Sequence, residues 1–329
     1  MITITGATGH IGNVLVRKLR TQGNIVQAVI PPFEDPKSLQ GLQVEKIAGD
    51  VRKRDTLISA FEGSKIVYHL AGIRSIIPGK EELIYQVNYE GTKNVIEACL
   101  TTGVERLVYT SSIHAFPETP HGTVIDETLG FDPEQTVSVY EKTKALASLA
   151  VQKAVKQQGL DAVIVCPTAV LGPYDFPPFS ELGQFVISFA NNKLFAVPIS
   201  GGYDFVDVRD VAEGHILACE KGEKGEAYIL AGCWASISHV IELLEDVTGV
   251  KPPSWKVPTR VAQMVAKGVS LYSRIVSTRP LFTEYSLKVL SSNSLTTAMK
   301  AQQTLGYSTR SLRGTLTDTV NWYNKIGCI

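Results

Sequence analysis

The feature that most constrains the fold is an alternation, through the first half of the chain, of short β-branched runs with longer helical patterns. The runs are Met1–Thr5 (MITIT), Ile25–Ile30 (IVQAVI), Val44–Ala48, Lys65–His69 (KIVYH), Arg106–Thr110 (RLVYT) and Ala162–Cys166 (AVIVC). Helical patterns over His10–Gln22, Glu81–Leu100 and Val139–Gln158 separate them. Strands without a clear polar face belong in a parallel sheet covered on both sides. Right-handed strand–helix–strand crossovers then make a doubly wound α/β domain.

After Cys166 the rhythm breaks. The segment CPTAVLGPYDFPPF holds four prolines and predicts an ordered, irregular connection rather than another helix. A helix near Leu182–Asn191 follows, then GGYDFVDVRDVAEG, a short strand running into a helix. From Ser236 the tail is mostly helical in pattern. The expected organisation is a parallel-sheet domain of residues 1–171 plus about 203–235, and a smaller, mainly helical substrate domain of about 172–202 plus 236–329. The stretch Val261–Ser277 carries Arg260, Lys267 and Arg274 along apolar residues. It reads as a helix packing over the pocket, with membrane-surface contact as the lesser alternative.

Composition narrows the function classes. Hydrophobic residues at 44% and charged residues at 19% fit a globular core and exclude a disordered or fibrous chain. Lysine plus arginine equals aspartate plus glutamate at 32 each, so there is no electrostatic footprint for nucleic acid or an anionic membrane. Any bound phosphate must be held locally. The five cysteines form no CxxC pair, and the six histidines form no HExxH or i, i+4 pair. Neither a disulfide scaffold nor a metal site is expected. No apolar stretch reaches the ~18–20 residues of a spanning helix, and Met1 leads straight into a strand. The expected location is the cytoplasm.

Thr5-Gly6-Ala7-Thr8-Gly9-His10-Ile11-Gly12 sits between the first strand and the first helix. Glycines there permit a tight turn, let backbone approach a pyrophosphate, and allow close helix–sheet packing. The helix N-terminus adds free N–H groups and the positive end of its dipole. Gly6, Thr8, Gly9, His10, Ile11 and Gly12 are therefore candidate contacts to a dinucleotide in a Rossmann domain. The acid or arginine that separates NAD from NADP belongs at the end of the second strand. That turn, Val29-Ile30-Pro31-Pro32-Phe33, has neither, and Glu34, Asp35 and Lys37 just beyond it point in opposing directions. In Gly49-Asp50-Val51, Asp50 beside Val51 is a candidate for the adenine amino group, with a helix-capping loop aspartate as the alternative. The small backbone of Leu70, Ala71 and Gly72 would approach the cofactor at the end of the fourth strand, while His69 reads as structural.

Tyr140 and Lys144 are i and i+4 and share one helix face. A phenol ionises near pH ~10, and an adjacent ammonium brings it toward working range. Tyr109-Thr110-Ser111-Ser112 closes the fifth strand and puts hydroxyls at the same sheet edge, where a serine can bond a substrate oxygen that gains charge.

With these elements together the chain resembles the extended short-chain dehydrogenase/reductase family. The carrying motifs are TGATGHIG (5–12), GDV (49–51), HLAG (69–72), TSS (110–112), YEKTK (140–144), CPTAVLGP (166–173) and FVDVRDVAEG (205–214), so the similarity spans essentially the whole chain. It is nearest to the dihydroflavonol-reductase-like and 3β-hydroxysteroid-dehydrogenase-like branch.

The resemblance implies that Tyr140 is the acid/base, that Lys144 binds the nicotinamide ribose and tunes Tyr140, and that Ser112, or Ser111 one register away, polarises the substrate oxygen. It further implies that Asn88 holds the active-site strand and a water, and that Pro167, Thr168 and Val170 face the carboxamide. NADP or NAD is the implied cofactor, and the family leans to NADP. Plant-type members, however, carry arginines where this chain has Gln27 and Pro31.

The implied reaction is hydride transfer between nicotinamide and a carbonyl or alcohol of a small-molecule substrate, by a homodimer built on the two long helices. The dehydratases of the family have an Asp-Glu pair where this chain has Ser111-Ser112, which argues against dehydration. Sugar-nucleotide epimerisation and a non-catalytic dinucleotide-binding role stay open as alternatives. The expected pocket wall draws on Phe176, Phe179, Tyr203, Tyr272, Phe282 and Tyr285, an apolar lining suited to a flavonoid, steroid or bulky aldehyde.

Overall fold

A computed structural model describes residues 1–74, 79–194, 196–198, 201–257 and 284–329, with backbone alone at 197, 198, 256 and 284–286. The helix expected over Val261–Ser277, with Arg260, Lys267 and Arg274, lies outside the described residues, as do Tyr272, Phe282 and the side chain of Tyr285.

Seven parallel strands form the central sheet: β1 (Ile2–Thr5), β2 (Val26–Ile30), β3 (Glu45–Ala48), β4 (Ile66–His69), β5 (Arg106–Thr110), β6 (Ala162–Pro167) and β10 (Ala227–Leu230). Their order is β10-β6-β5-β4-β1-β2-β3. Every residue of β1, β2, β6 and β10 is buried, which is why these runs lack a polar face. β3 closes one edge and carries exposed Glu45 and Lys46, charges that discourage edge-to-edge pairing. Strand order reverses at β1, between β4 and β2. A crevice opens at the carboxyl ends of strands where such a reversal occurs.

Helices cover both faces. α1 (His10–Thr21) packs against α7 (Val208–Lys221) on one side; α2 (Arg54–Phe61), α4 (Gly91–Thr102) and α5 (Val139–Gln158) pack together on the other. Local chemistry fixes both ends of α5. Ser138 and Glu141 form a reciprocal capping box, and Gly159 stops the helix in a left-handed conformation at φ +76°. No helix among the described residues is long and apolar enough to cross a membrane.

The helix predicted over Glu81–Leu100 runs unbroken from Glu81 to Thr102 as α3 (Glu81–Tyr85), a π-helical turn over Gln86–Glu90, and α4. One expectation needs correction. The proline-rich connection contains a strand, β7 (Ala169–Leu171), because Val170 and its neighbours find a partner in β9 (Gly202–Asp207). β9 also pairs antiparallel with β11 (Cys233–Ser236), and β8 (Ala196–Pro198) pairs with β12 (Trp255–Val257). β7, β9 and β11 thus fall in the stretches assigned to the parallel-sheet domain, and the part expected to be mainly helical adds the β8–β12 pair to α6 (Glu181–Ala190), α8 (Ile237–Thr248) and helices Glu284–Ser291 and Leu312–Lys325.

The last helix is tied down by ion pairs and hydrogen bonds. Arg209 bridges Asp207 and Asp318, the Thr315 hydroxyl donates to Asp207 at 3.0 Å, and the Tyr323 hydroxyl donates to Asp175 at 2.8 Å.

Candidate active site

A cavity of about 400 Å³ lies at the carboxyl ends of β1, β4, β5 and β6, walled on its far side by residues of α6 and α8. That is the size of a small-molecule pocket, placed where the strand reversal predicts one.

Its floor is the glycine loop, through Gly6, Gly9, His10, Ile11 and Gly12. Gly6 has φ +70°, and a Cβ there would sit 2.5 Å from the backbone nitrogen of Ala71. Gly9 begins α1 with no side chain capping it. The His10 ring bonds the Pro173 carbonyl at 3.0 Å instead. The first-turn N–H groups of α1 are thus available to an anion, as a diphosphate requires.

Gly12 is the tightest point, since a Cβ there would lie 2.1 Å from the Gly6 carbonyl oxygen and 2.8 Å from the Ala7 Cα. Both neighbours are backbone, so Gly12→Ala must displace the loop. The expected result is a destabilisation of about 1–3 kcal/mol together with loss of dinucleotide binding. Thermal melts and a nucleotide titration check it; an unchanged melting point with unchanged binding refutes it.

The opposite wall comes from β5 and α5. Lys144 is buried, and its Nζ donates to the Thr110 carbonyl at 2.7 Å. Burial holds its ammonium down at about 8. Burial pushes the Tyr140 phenol up, while the Arg74 charge and a hydrogen bond with Ser112 oppose that rise. Ser112 Oγ also accepts from the His114 amide at 3.2 Å. Ser111 lines the cavity too, but its hydroxyl is engaged with Ser148 of α5 at 2.7 Å.

The π-helical turn presents Asn88 just behind this group. Its side chain accepts from the Ile73 amide at 2.7 Å and donates to the Ile73 carbonyl at 3.0 Å and Thr143 Oγ1 at 3.2 Å. It ties the loop after β4 to α5. His69 sits between Thr5 Oγ1 at 2.7 Å and Thr92 Oγ1 at 3.0 Å, and burial lowers its pKa to about 3. It is a neutral core residue.

Leu70 and Gly72 line the cavity after β4, and Pro167, Thr168 and Val170 line it after β6. Thr168 is oriented by donating to buried Asp204 at 2.7 Å. Thr8, Asp50, Val51 and Ala71 lie outside the lining. Thr8 donates to the Glu34 carboxylate, and Asp50 is occupied by Arg52 at 3.0 Å. The Val51 carbonyl accepts from Asn94, and the Ala71 amide reaches Thr5 Oγ1 at 3.4 Å.

Of the aromatic residues expected in the wall, Tyr203 lines the cavity. Phe176 and Phe179 do not, because they pack on Trp322 and Tyr323 of the last helix. The apolar wall is built from Leu182, Phe185, Val186, Ile237, Val240 and Leu290 instead.

Four polar members were missed: Arg74, His114, Ser180 and Glu181. His114, its pKa lowered by burial to about 3, pairs with the Tyr203 hydroxyl at 2.8 Å. Arg74 and Glu181 form an ion pair of 3.1 Å within the lining. The available signal was their position: His114 follows the TSS run by two residues, and Arg74 follows HLAG by two, both at carboxyl ends of strands.

A family model described as the NAD dependent epimerase/dehydratase family matches residues 2–231. Sterol demethylase protein B of Methylococcus capsulatus is 35% identical over 99% of this chain and 99% of its own length. The 3beta-hydroxysteroid-dehydrogenase/decarboxylase isoform 1 of Arabidopsis thaliana is 29% identical over 93% of this chain and 75% of its own. Among solved structures, gox2253 superposes with a TM-score of 0.87 at 32% identity, covering 100% of this chain and 99% of that one. A glycine loop opening onto a Ser–Tyr–Lys wall, with a family match across both, makes one conclusion available: the chain belongs to the NAD-dependent epimerase/dehydratase family of extended short-chain dehydrogenase/reductases.

Proposed function

We propose that this chain interconverts a carbonyl and an alcohol on a bulky, largely apolar substrate, using NAD(P) and Tyr140 as the acid/base. The carrying observation is that the Tyr140 phenol, the Ser112 hydroxyl and the buried Lys144 ammonium share one cavity with the glycine loop. In this reading residues 1–171 plus about 203–235 hold the dinucleotide, and the remainder closes over the substrate.

The cavity fits such a cofactor at both ends: the N–H groups of His10–Gly12 for its diphosphate, and Pro167, Thr168 and Val170 for its carboxamide. When bound, the nicotinamide gives or takes the hydride. The protein's task is placement and proton handling. Ser112 donates to the substrate oxygen as charge gathers on it, and Tyr140 delivers or removes the proton at that same oxygen. The Lys144 ammonium favours the phenolate form of Tyr140 and is fixed by the Thr110 carbonyl. Asn88 acts one layer out, by holding the loop that carries Gly72 against α5. Asp50 and Val51 are assigned to the adenine end, Leu70 and Ala71 to the backbone beneath the cofactor.

The apolar wall favours a steroid-like or flavonoid-like body over a sugar nucleotide, whose hydroxyls need polar partners along their whole length. The sterol and hydroxysteroid names carried by relatives agree with that preference. Incubation with C4-deuterated NADH or NADPH and a panel of bulky ketones tests the proposal. Deuterium on the carbinol carbon, with one cofactor oxidised per product, is expected. Turnover of UDP-glucose alone, with no net consumption of cofactor, would replace the proposal with epimerisation.

A further inference from the structure

We propose that Arg74 and Glu181 tune the ionisation of Tyr140, the arginine favouring the phenolate and the carboxylate opposing it. The inference rests on the reading that Tyr140 is the acid/base. It adds to Lys144 a second cation, supplied from outside α5. Arg74 reaches the site by a fixed route. After β4, Gly72 lies so close to Lys144 that a Cβ there would stand 3.4 Å from the ammonium nitrogen. Asn88 then holds Ile73 by both of its backbone groups, at 2.7 and 3.0 Å. Two residues span at most about 7 Å, so Arg74 leaves the backbone close beside Lys144. Its side chain lines the same cavity as Tyr140, Ser112, His114 and Tyr203.

Glu181, the first residue of α6, meets the guanidinium at 3.1 Å. Leu182, Phe185 and Val186 of the same helix keep this wall apolar, so charges here are screened less than in water. Burial is the main influence on the rings of Tyr140, Tyr203 and His114, and the Arg74 charge comes next on each, opposing the rise of the two phenols. Glu181 acts on Tyr140 with the opposite sign. Among the described residues, the other ionisable groups around this phenol are Lys144 and Glu141 of α5, Tyr109 and His114 at the end of β5, and Tyr203 of β9. Lys144, held at about 8 by burial, loses its proton below the range where a phenol ionises. A guanidinium keeps its charge throughout. Arg74 is thus a lasting cation at this phenol where the ammonium is not.

Tyrosine labelled with carbon-13 at Cζ reports each phenol's ionisation by NMR, and Tyr140→Phe identifies the Tyr140 resonance by its loss. Titration of the full chain from about pH 8 to 11 spans that ionisation. At each pH the ionised fraction of Tyr140 should be largest in Glu181→Gln, intermediate in wild type and smallest in Arg74→Gln. The corresponding shifts are about half a pH unit down for Glu181→Gln and about one unit up for Arg74→Gln. Arg74→Lys, which keeps the charge, should stay near wild type. Both glutamine variants break the same ion pair, so a merely structural contact would move the two curves together or leave both in place. Opposite shifts require the charges themselves. The two side chains are 46% and 35% exposed, so neither substitution threatens the fold. Curves that coincide with wild type, or that move in the same direction, would overturn the proposal. The titration needs no turnover, so wild-type-like activity of Tyr140→Phe would overturn the acid/base reading separately.

Discussion

Tyr140→Phe should lower kcat by about a thousandfold, within the 10²–10⁴ range of a single acid–base group, with NADH affinity changed by no more than about twofold. The phenol oxygen is the one atom removed, and it is the atom proposed to trade a proton with the substrate. The ring stays, and with it the edge contact to His114 at a centroid distance of 6.5 Å. Burial favours the protonated phenol, which suits the direction of carbonyl reduction, where Tyr140 is the donor. Ser112→Ala should cost about a hundredfold. If Ser112 and Tyr140 act on the same oxygen, as proposed, the double variant should lose little more than Tyr140→Phe alone. Single-turnover reduction by stopped flow, with a parallel nucleotide titration, measures both numbers. Turnover of Tyr140→Phe within about tenfold of wild type would remove Tyr140 from the chemistry and leave water or His114 as the proton source.

What the sequence made legible is what local chemistry decides. Both ends of α5 were readable because Ser138, Glu141 and Gly159 are themselves the end signals, and β5 was readable as an apolar run before a serine pair. The glycine loop was readable because Gly6 and Gly12 occupy positions where a Cβ collides with backbone. What stayed hidden depends on partners distant in the chain. Ala169–Leu171 becomes a strand only because β9 returns beside it, and no periodicity in three residues can say so. The π-helical turn at Gln86–Glu90 changes backbone register without altering side-chain type, so it leaves no pattern. Phe176 and Phe179 were assigned to the pocket by residue type, yet Trp322 and Tyr323 arrive from the far end of the chain to claim them.

Lys144→Met should make the protein more stable and far less active at once. Lys144 is 5% exposed, and its ammonium has one hydrogen bond, to the Thr110 carbonyl at 2.7 Å, to offset loss of water. Burial lowers its pKa from 10.5 to about 8. Unfolded chains therefore hold a proton at this position between pH 8 and 10.5 that folded ones have released, so the Lys144 contribution to stability should climb through that window, while the buried thiols of Cys99 and Cys166, pushed up by burial, pull the other way. At pH 7 the buried charge costs stability on the order of 3 kcal/mol, from ~1.4 kcal/mol per unit. Methionine has a similar length and no charge to desolvate. It leaves the Thr110 carbonyl without its donor, which takes back about 1–2 kcal/mol. A net gain of about 1–2 kcal/mol at pH 7 is expected, and this gain over the wild type should shrink as pH rises from 8 to 10, because only the wild type is relieved there of the Lys144 charge. Turnover should fall at least about a hundredfold, since the ammonium proposed to favour phenolate at Tyr140 is gone and only Arg74 and Ser112 still do so. Urea unfolding at several pH values, paired with initial rates, decides the matter. A difference between methionine variant and wild type that is level across the window, or a methionine variant that is less stable at pH 7, would mean that the cavity already solvates this ammonium. A stable, inactive variant would mean that the fold keeps a buried cation which only the reaction at Tyr140 requires.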